Sequence, residues 1–347
     1  MRAFLCTNPA DGERWQQYVE AHPLATNYHR WGWKQVIENS FGWPTHYWAV
    51  EENGQLQGVL PLVWQKSRLF GSFLTSLPFL NAGGLLADNP AAEQLLVREA
   101  VALAKEVGAK HLELRHREEH PSAREQKLQT KTSKVTLVLP IGPDQNKMWK
   151  DLRTKMRTKV RKSQSFGMIA EFGGLALLDD FYAVFSHNMR DLGTPVYSRE
   201  FFAEILRAFP ADTHLCVVHK DKDVVAASFL SGFRDRIEAV WSSSVQKYLS
   251  LKPNFFLYWN LLCFAGSKGY RLFDFGRSSV DSGTHEFKLQ WGAQTVQLYW
   301  DYWLPNGNTL PELNPQNPKY RAAIWLWQRI PVPVMRILGP HIVRCLP

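Results

Sequence analysis

One structural pattern occurs twice in this sequence of 347 residues: two or three strands, then a long helix, then one more strand. In the first copy these segments are expected at 47–50, 58–64, 91–107 and 111–114. In the second copy they are expected at 215–218, 224–230, 236–242, 254–268 and 272–275. Gly108 and Gly269 end the two helices, as glycine commonly does. Because strands and helix alternate within each copy, the repeat predicts an α/β fold with mixed sheets rather than a solenoid.

Aligning Gly108 with Gly269 places Glu113 of the first copy on Asp274 of the second, each within a short apolar strand. A domain has about 150 residues on average, so a chain of this length is expected to form two. We therefore predict an N-terminal domain at 1–140, a C-terminal domain at 141–310 and a C-terminal tail at 311–347.

The charge balance of the sequence is basic, with 41 lysine and arginine residues against 32 acidic residues and a formal net charge of +9. Such an excess favours polyanionic partners: nucleic acid, anionic lipid or phosphorylated substrates. The four cysteines are scattered without CxxC spacing, so we expect a reducing compartment and no disulfide framework. Since the N-terminus is not signal-like and no run of ~18 apolar residues occurs, a cytoplasmic protein without a membrane span is predicted.

Several catalytic signatures are missing from the sequence. It has no G-x-S-x-G, P-loop or G-x-G-x-x-G motif, so we expect no tightly bound cofactor. The stretch from His116 to His120 matches an H-x-x-E-H zinc pattern, but that chemistry requires both histidines on one helical face. Because this stretch follows a strand and precedes Pro121, we predict a polar loop and no metal site.

Residues 147–166 are predicted to form a basic linker helix. Four apolar residues recur at helical spacing and predict a buried stripe: Trp149, Leu152, Met156 and Val160. Three arginines fall on an adjacent face: Arg153, Arg157 and Arg161. Asp151 is the only acid in the segment, so these arginines lack i,i+4 partners. They predict either binding of a phosphorylated or lipid-linked glycan precursor or a tRNA backbone, or a solvated basic face.

A second motif follows the last strand of the second copy, where a glycine, an arginine and a serine stand together: Gly276, Arg277 and Ser278. Ligands of α/β sheets commonly bind beyond strand ends, where backbone groups and small polar side chains are free. Farther along, Lys288 lies between Phe287 and Trp291. This spacing fits two interpretations: a partly desolvated lysine that acts as a positive point charge, or a surface lysine beside two core aromatic residues.

The segments 274–278 and 287–293 resemble the D-F-G-x-S … F-K-x-x-x-G-A signature of FemAB-like proteins. The segment 251–254, which opens the preceding helix, and the basic helix between the two halves are similar to that family as well. The likeness covers nearly the whole chain. Its nearest form is the FemAB-like protein associated with exosortase (PEP-CTERM) and exopolysaccharide loci, whose tail resembles the segments 327–331 and 338–344.

The resemblance implies two tandem acyl-CoA N-acyltransferase (GNAT)-like domains. It also implies transfer of an acyl or aminoacyl group to an amine of a cell-envelope or exopolysaccharide precursor. By motif match, Lys288 takes the place of the lysine that steadies the acyl-transfer intermediate. Asp274 is either a candidate for assisting proton removal or a structural carboxylate at the strand end, as Glu113 is at the equivalent place. The positions expected to contact substrate are Arg153, Arg157, Arg161, Tyr28, Trp31, Trp33, Gly276, Arg277, Ser278, His285 and Phe287.

The donor and the acceptor stay open at the level of sequence. Typical members of the resembled family take aminoacyl-tRNA and act on a peptidoglycan precursor, but this chain has Ile37 where many of them have a lysine. An acyl-CoA-dependent GNAT N-acetyltransferase usually has a Q/R-x-x-G-x-G/A loop, to which the segment 81–84 is only loosely similar. A non-catalytic adaptor in exopolysaccharide or protein-sorting assembly is a further alternative.

The tail is basic and contains no acid from residue 313 to the end of the sequence. Five lysine and arginine residues alternate there with aliphatic residues and with Trp325 and Trp327. This composition predicts either binding to an anionic membrane surface or a closing helix that packs on the second domain.

Overall fold

The computed structural model describes residues 1–67, 71–305, 310 and 318–345. The strands within these residues are β1 (Arg2–Leu5), β2 (Thr45–Glu52), β3 (Gln55–Ser67), β4 (Gly71–Thr75), β5 (Leu86–Ala87), β6 (Leu112–His116), β7 (Gln129–Lys131), β8 (Lys134–Pro140), β9 (Ile169–Gly173), β10 (Thr213–Lys220), β11 (Asp223–Phe233), β12 (Arg236–Ser244), β13 (Leu272–Ser279), β14 (Gln294–Gln297) and β15 (Tyr299–Trp303). The α-helices are α1 (Pro9–Ala21), α2 (Gly32–Phe41), α3 (Pro90–Glu106), α4 (Pro121–Glu125), α5 (Gln145–Asp151), α6 (Thr154–Gln164), α7 (Leu178–Asp191), α8 (Arg199–Ala208), α9 (Pro253–Ser267), α10 (Gly283–Leu289), α11 (Pro318–Trp327) and α12 (Val332–Val343).

The chain divides into two compact units. The first comprises the described residues of Met1–Lys134, Gln297–Leu313 and Arg344–Pro347, and the second those of Val135–Val296 and Asn314–Val343. These ranges differ from the predicted domains, because β15 joins the sheet of the first unit and α12 belongs to the second unit.

The sheet of the first unit has the strand order β1-β2-β3-β4-β6-β15-β7, with β5 on the side of β3. Strands β4 and β6 run parallel, in a register that pairs Leu74 with Leu112 and Thr75 with Glu113. Helix α3 connects them; Asn89 caps its N-terminus and Pro90 occupies its first position, as is typical of helix starts. Its buried apolar residues recur at helical spacing and pack into the core of this unit.

The sheet of the second unit has the order β14-β8-β13-β12-β11-β10-β9. Strands β9 to β12 are antiparallel neighbours, whereas β12 and β13 run parallel and are connected through α9. Helix α9 is buried along most of its length and lies in one core cluster with the apolar stripe of α6. A register shift in the β11–β12 pair skips Val240, which forms a β-bulge in β12.

The predicted repeat is confirmed by the strand registers. Glu113 is the last residue of β6 that pairs with β4, and Asp274 is the last residue of β13 that pairs with β12. The two carboxylates therefore occupy equivalent places in the two units. The sequence interpretation missed β4, which is short and begins with a glycine and a serine.

The predicted linker helix is two helices rather than one. Leu152 and Arg153 adopt extended backbone angles, with ψ of 137° and 144°, and separate α5 from α6. Three residues of the predicted stripe, Leu152, Met156 and Val160, lie in the core of the second unit, and the fourth, Trp149, is half-buried and packs against it. Met156 and Val160 sit four residues apart on one face of α6, so that helix follows the predicted period.

The tail packs in part on the second unit. The Trp327 indole Nε1 donates a hydrogen bond to the Thr194 carbonyl oxygen at 3.1 Å, and Met335 is fully buried. Trp325, by contrast, is 55% exposed, so packing accounts for one tryptophan of the predicted pair and not for the other. Residues 311–317 of the predicted tail lie outside the described residues. None of the described helices combines the length and the apolar character needed to cross a bilayer.

Candidate active site

The candidate site lies where the parallel strands β12 and β13 stop pairing. Their ladder covers Arg236–Glu238 of β12 and Leu272–Asp274 of β13, although both strands continue beyond it. Gly276 follows in the left-handed region, with φ +73°, and a Cβ added there would lie 2.9 Å from the Ala239 carbonyl oxygen. Only glycine satisfies both conditions, so this residue lets the two strands diverge at close range.

Asp274 stabilises the backbone at the point where β12 and β13 diverge. Its side chain is fully buried, and its Oδ1 accepts hydrogen bonds from the Thr136 hydroxyl and, at 2.9 Å, from the Gly276 backbone N–H. The Arg236 guanidinium lies 3.7 Å from the other carboxylate oxygen. Because these contacts hold Asp274 inside the sheet, its geometry favours the structural carboxylate over the group that assists proton removal.

Lys288 is buried on α10, and its ammonium group points at the end of β13. Its Nζ donates to the carbonyl oxygens of Gly276 at 2.7 Å and Arg277 at 3.0 Å. Burial lowers the pKa of Lys288 to about 8, against the opposing influence of the Asp274 and Glu238 carboxylates. An ammonium group has three N–H donors, so these two contacts leave one for a bound group. The interpretation as a solvated surface lysine is therefore wrong.

Glu238 is a site residue that the sequence interpretation missed. It is buried on β12 opposite Asp274, and its Oε1 lies 3.7 Å from the position of a Cβ on Gly276. An acid flanked by Ile237 and Ala239, in the otherwise apolar stretch 237–241, is the signal that would have identified it.

Aromatic side chains form one wall beside Lys288. Phe287 and Trp291 are 6.2 Å apart, and both rings pack against Tyr258. The Trp291 Nε1 and the Ser278 hydroxyl are buried and have no hydrogen-bond partner among the described residues. Because unpaired buried donors are costly, these two atoms are candidates for contacts with a bound substrate.

The structure gives His285 and Arg277 different environments. The His285 Nδ1 accepts from the Asp281 backbone N–H at 3.3 Å, and its Nε2 lies 3.1 Å from the Thr295 hydroxyl. His285 thus holds the turn before α10 in place, and both ring nitrogens are engaged. Arg277 is exposed, so its guanidinium is accessible to an anionic ligand.

Of the three predicted arginines, Arg153 has the clearest access to a ligand. It lines an open cavity of about 430 Å³ together with residues of α10 and the turn that follows: Glu286, Leu289, Gln290, Gly292 and Ala293. Arg157 instead contacts the Lys150 carbonyl and the Thr154 hydroxyl, both at 3.2 Å. The Arg161 guanidinium lies 5.3 Å from the centre of the Trp149 ring. Both are used locally, which makes them weaker candidates.

The predicted N-terminal aromatic residues belong to the first unit. Tyr28 and Trp33 are fully buried, with ring centres 5.9 Å apart, and the Trp33 indole donates to the Asn27 carbonyl at 2.9 Å. Their rings form part of the core of that unit, which corrects their assignment as substrate contacts. Trp31 is half-buried and remains a prediction.

In the first unit, Arg115 occupies the position equivalent to Gly276. Arg115 lies two residues after Glu113, and Gly276 lies two residues after Asp274. The Arg115 Nε donates to the Glu113 carboxylate at 2.9 Å, and its Nη1 donates to the Leu80 carbonyl at 2.8 Å. Its guanidinium carbon is 4.5 Å from the centre of the Trp300 ring. The open strand ends with a buried lysine are therefore a feature of the second unit.

The zinc-like pattern at 116–120 lies between the end of β6 and the start of α4, so its two histidines do not share a helical face. His116 ends β6 and is buried, while His120 pairs with Glu93 at 3.3 Å. Within the described parts of the chain, no group of three or more His, Cys, Asp or Glu side chains is arranged to hold a metal ion.

Comparison with known proteins places the second unit in a known class of domain. Residues 150–289 match the sequence profile of the acetyltransferase (GNAT) domain, a segment that ends one residue after Lys288. No curated protein sequence matches the chain.

Solved structures resemble the chain over most of its length. FemX aligns with a TM-score of 0.67 and 15% identity, covering 87% of this chain and 97% of FemX. A tandem GNAT protein from the clavulanic acid biosynthesis pathway aligns with a TM-score of 0.59 and 10% identity, covering 89% and 99%. L-PGS from Bacillus licheniformis aligns with a TM-score of 0.51 and 11% identity, covering 88% and 96%. At these identities the likeness shows the fold.

The predicted fold class is confirmed: the chain contains two mixed α/β units of the GNAT type in tandem. The profile match supports a GNAT domain at 150–289 and, in general terms, an acyltransferase, and the likeness to FemX shows a shared fold.

Proposed function

We propose that the second unit transfers an acyl or aminoacyl group from an activated donor to an amine of a cell-envelope or exopolysaccharide precursor. The observation that carries the proposal is the position of Lys288, a buried ammonium group held at the open end of the β12–β13 pair with one donor unused. A preorganised cation in a site of low polarity stabilises developing negative charge far better than a solvated one.

In the proposed reaction a neutral amine attacks the carbonyl carbon of the donor ester or thioester. A C–N bond forms, and the negative charge on the carbonyl oxygen is stabilised by the free N–H of Lys288. When this oxyanion collapses, the C–O or C–S bond to the donor breaks. The proton of the amine passes through the Glu238 carboxylate to the departing oxygen or sulfur, and Asp274 keeps Gly276 in place.

Direct transfer fits the second unit better than a covalent enzyme intermediate. A thiolate nucleophile needs a lowered pKa. Burial instead raises the pKa of Cys263 to about 11, and it raises the pKa of Cys216 as well. Both are inert thiols at neutral pH, so the amine itself is the nucleophile in this proposal.

The proposed acceptor is a phosphorylated or lipid-linked glycan precursor, and the proposed donor is an aminoacyl-tRNA or an acyl-CoA. Arg153, Arg277 and the net positive charge support an anionic ligand. Both donors are cytoplasmic compounds, so we place the reaction in the cytoplasm. The resemblance to exosortase-associated proteins supports an exopolysaccharide precursor, and the resemblance to FemAB-like proteins supports a peptidoglycan precursor.

The test is mass spectrometry of envelope precursors from cells that carry the wild-type protein or Lys288→Met. A precursor with an added acyl or aminoacyl mass should be present with the wild type and missing with the variant. Identical precursor pools would contradict the proposal and favour the adaptor function. Equilibrium binding of charged tRNA and of acyl-CoA to the purified protein then identifies the donor.

A further inference from the structure

The two tail helices present an apolar face to solvent. Helix α12 buries Val332, Met335 and Gly339 at helical spacing, with the Arg336 guanidinium 5.3 Å from the ring of Tyr182 on α7. Its opposite face and the end of α11 carry large exposed apolar side chains: Trp325, Leu326, Val334, Ile337 and Leu338. We call these five residues the tail face. A helix that only packs on its own domain is expected to be polar on its outer side.

The charged residues of the tail itself are all basic. The described tail, residues 318–345, contains no aspartate or glutamate. The Arg329 guanidinium carbon lies 3.7 Å from the centre of the exposed Trp325 ring. A tryptophan beside aliphatic side chains and an arginine is the composition expected at the boundary between lipid headgroups and acyl chains.

A groove of about 620 Å³ adjoins the tail and is lined by four basic side chains: His187, Arg190, Lys222 and Lys247. Two acids also line it: Asp191 is paired with Arg190 at 2.7 Å, and Asp223 accepts the Tyr248 hydroxyl. Arginine and lysine therefore exceed the carboxylates in the lining by three to two. The Gln328 amide donates to the Asp191 carbonyl at 3.0 Å, which ties the end of α11 to the groove.

Cations outnumber acids among the charged groups that act on His187 in the groove. Burial lowers the pKa of His187, and three cations lower it further: Arg190, Arg336 and Lys247. These cations come from α7, from the tail and from the segment after β12. Asp191 is the facing acid and acts in the opposite direction. Burial, the largest of these causes, disfavours charge of either sign, whereas the three cations favour an anion beside His187.

We propose that the tail face and the basic groove together form a docking surface for a bilayer of anionic phospholipid. Trp325, Ile337 and Leu338 enter the interface, and the groove receives the phosphate of a lipid headgroup. Charge complementarity decides between possible occupants, because a second copy of this chain would bring the same positive groove to the contact. The proposal is independent of the acyl-transfer reaction, since none of these residues belongs to the candidate active site.

The experiment is co-sedimentation of the full-length protein with vesicles of phosphatidylcholine alone or of phosphatidylcholine with 30% phosphatidylglycerol, about a third anionic lipid. The wild type should bind the anionic vesicles and lose binding as salt is added. Ile337→Ser with Leu338→Ser should weaken binding at least ~10-fold, because apolar burial is lost. Ile169→Ser is the matched control, since Ile169 and Ile337 are both 69% exposed, and it should bind as the wild type does.

The groove is tested separately by Lys222→Gln, which should weaken binding to the anionic vesicles about fivefold and leave binding to the neutral vesicles unchanged. Thermal unfolding verifies that each variant is folded. The proposal would be overturned if the wild type bound both kinds of vesicle equally or bound neither. It would also be overturned if Ile337→Ser with Leu338→Ser bound the anionic vesicles as well as the control Ile169→Ser does. A wild-type dimer in size-exclusion chromatography that Ile337→Ser with Leu338→Ser converts to a monomer would overturn it too, because the tail face would then be a protein interface.

Discussion

The Nζ atom of Lys288 lies 2.7 Å from the carbonyl oxygen of Gly276, the residue at which β13 departs from β12. The lysine is thereby fixed to the backbone whose left-handed conformation opens the site. The buried Asp274 carboxylate fixes the same residue from the other side, through the Gly276 N–H at 2.9 Å. Lysine, glycine and aspartate therefore form one hydrogen-bonded unit, in which the lysine supplies the charge and the glycine the backbone conformation.

Lys288→Met should lower kcat about 10²- to 10³-fold, the loss expected when one donor to a developing oxyanion is removed. The folded state should persist, because methionine fills a similar volume in a buried site. Lys268→Met is the control: Lys268 belongs to the same unit, its Nζ is 5.6 Å from the centre of the Phe264 ring, and it lies outside the site. Steady-state kinetics with the identified donor measure both variants, and undiminished turnover by Lys288→Met would remove this lysine from the mechanism.

Activity should decline as the pH rises above about 8, since the pKa of Lys288 is lowered to that value and only the protonated form carries the positive charge. Arginine stays charged throughout this range. A residually active Lys288→Arg variant should therefore lose the alkaline decline. The measurement is kcat against pH from 7 to 10, and a decline of the same midpoint in both proteins would assign it to another group.

The same pKa shift predicts how stability depends on pH. Lysine in the unfolded chain has a pKa near 10.4, so between about 8 and 10.4 the unfolded state binds more protons at this position than the folded state. The free energy of unfolding therefore rises with pH between about 8 and 10.4. Below about pH 8 the lysine is charged in both states, so the full cost of burying the charge is present there. The free energy of unfolding of the wild type minus that of Lys288→Met should increase by up to about 1.4 kcal/mol per pH unit across the window from about 8 to 10.4. A difference that is constant with pH would contradict the burial of a titrating ammonium group.

The internal repeat, the α/β class and the place of Asp274 could be predicted from the sequence, because they depend on local periodicity and on glycines that end helices. Helix α3 and the strand after it follow from such local signals. The β15 strand could not be placed, since its partners, β6 and β7, lie far from it along the chain. Pairing at such separation is decided by tertiary contacts that no local pattern records.

Only part of the candidate site could be predicted, because some of its contacts also depend on pairing between strands. The motif identified Lys288, but its two carbonyl partners and the proximity of Glu238 depend on how β12 meets β13. Tyr28 and Trp33 illustrate the opposite error, since the resemblance implied substrate contacts at both positions and both side chains are buried in the core. Large aromatic side chains bury so much area that packing is their usual role.

Arg153→Ala should raise the KM for an anionic acceptor about tenfold with little change in kcat. The lost charge-assisted contact stabilises the bound acceptor and the transition state equally, so its removal weakens binding without slowing the chemical step. The KM of the variant should also depend less steeply on salt concentration than the KM of the wild type. The matched control is Lys155→Ala, a change of equal charge at an exposed position on α6. Kinetics at low and high salt compare the two variants, and equal effects would show that only net charge matters.

Gly276→Ala tests whether the divergence of the strands requires a glycine, and Gly269→Ala supplies the control within the same unit. Both glycines have positive φ, +73° at Gly276 and +86° at Gly269, so alanine is strained at either position by about 1–2 kcal/mol. At Gly269 nothing lies within 4 Å of the added Cβ, whereas at Gly276 the Ala239 carbonyl oxygen is 2.9 Å away. We therefore expect Gly276→Ala to lose more stability in denaturant unfolding, by at least ~1 kcal/mol beyond the control. Activity should fall with it, because relief of the contact displaces the carbonyl that holds Lys288. Equal destabilisation by the two substitutions, with activity retained, would mean that β12 and β13 have room to separate and that the close approach at Gly276 does not shape the site.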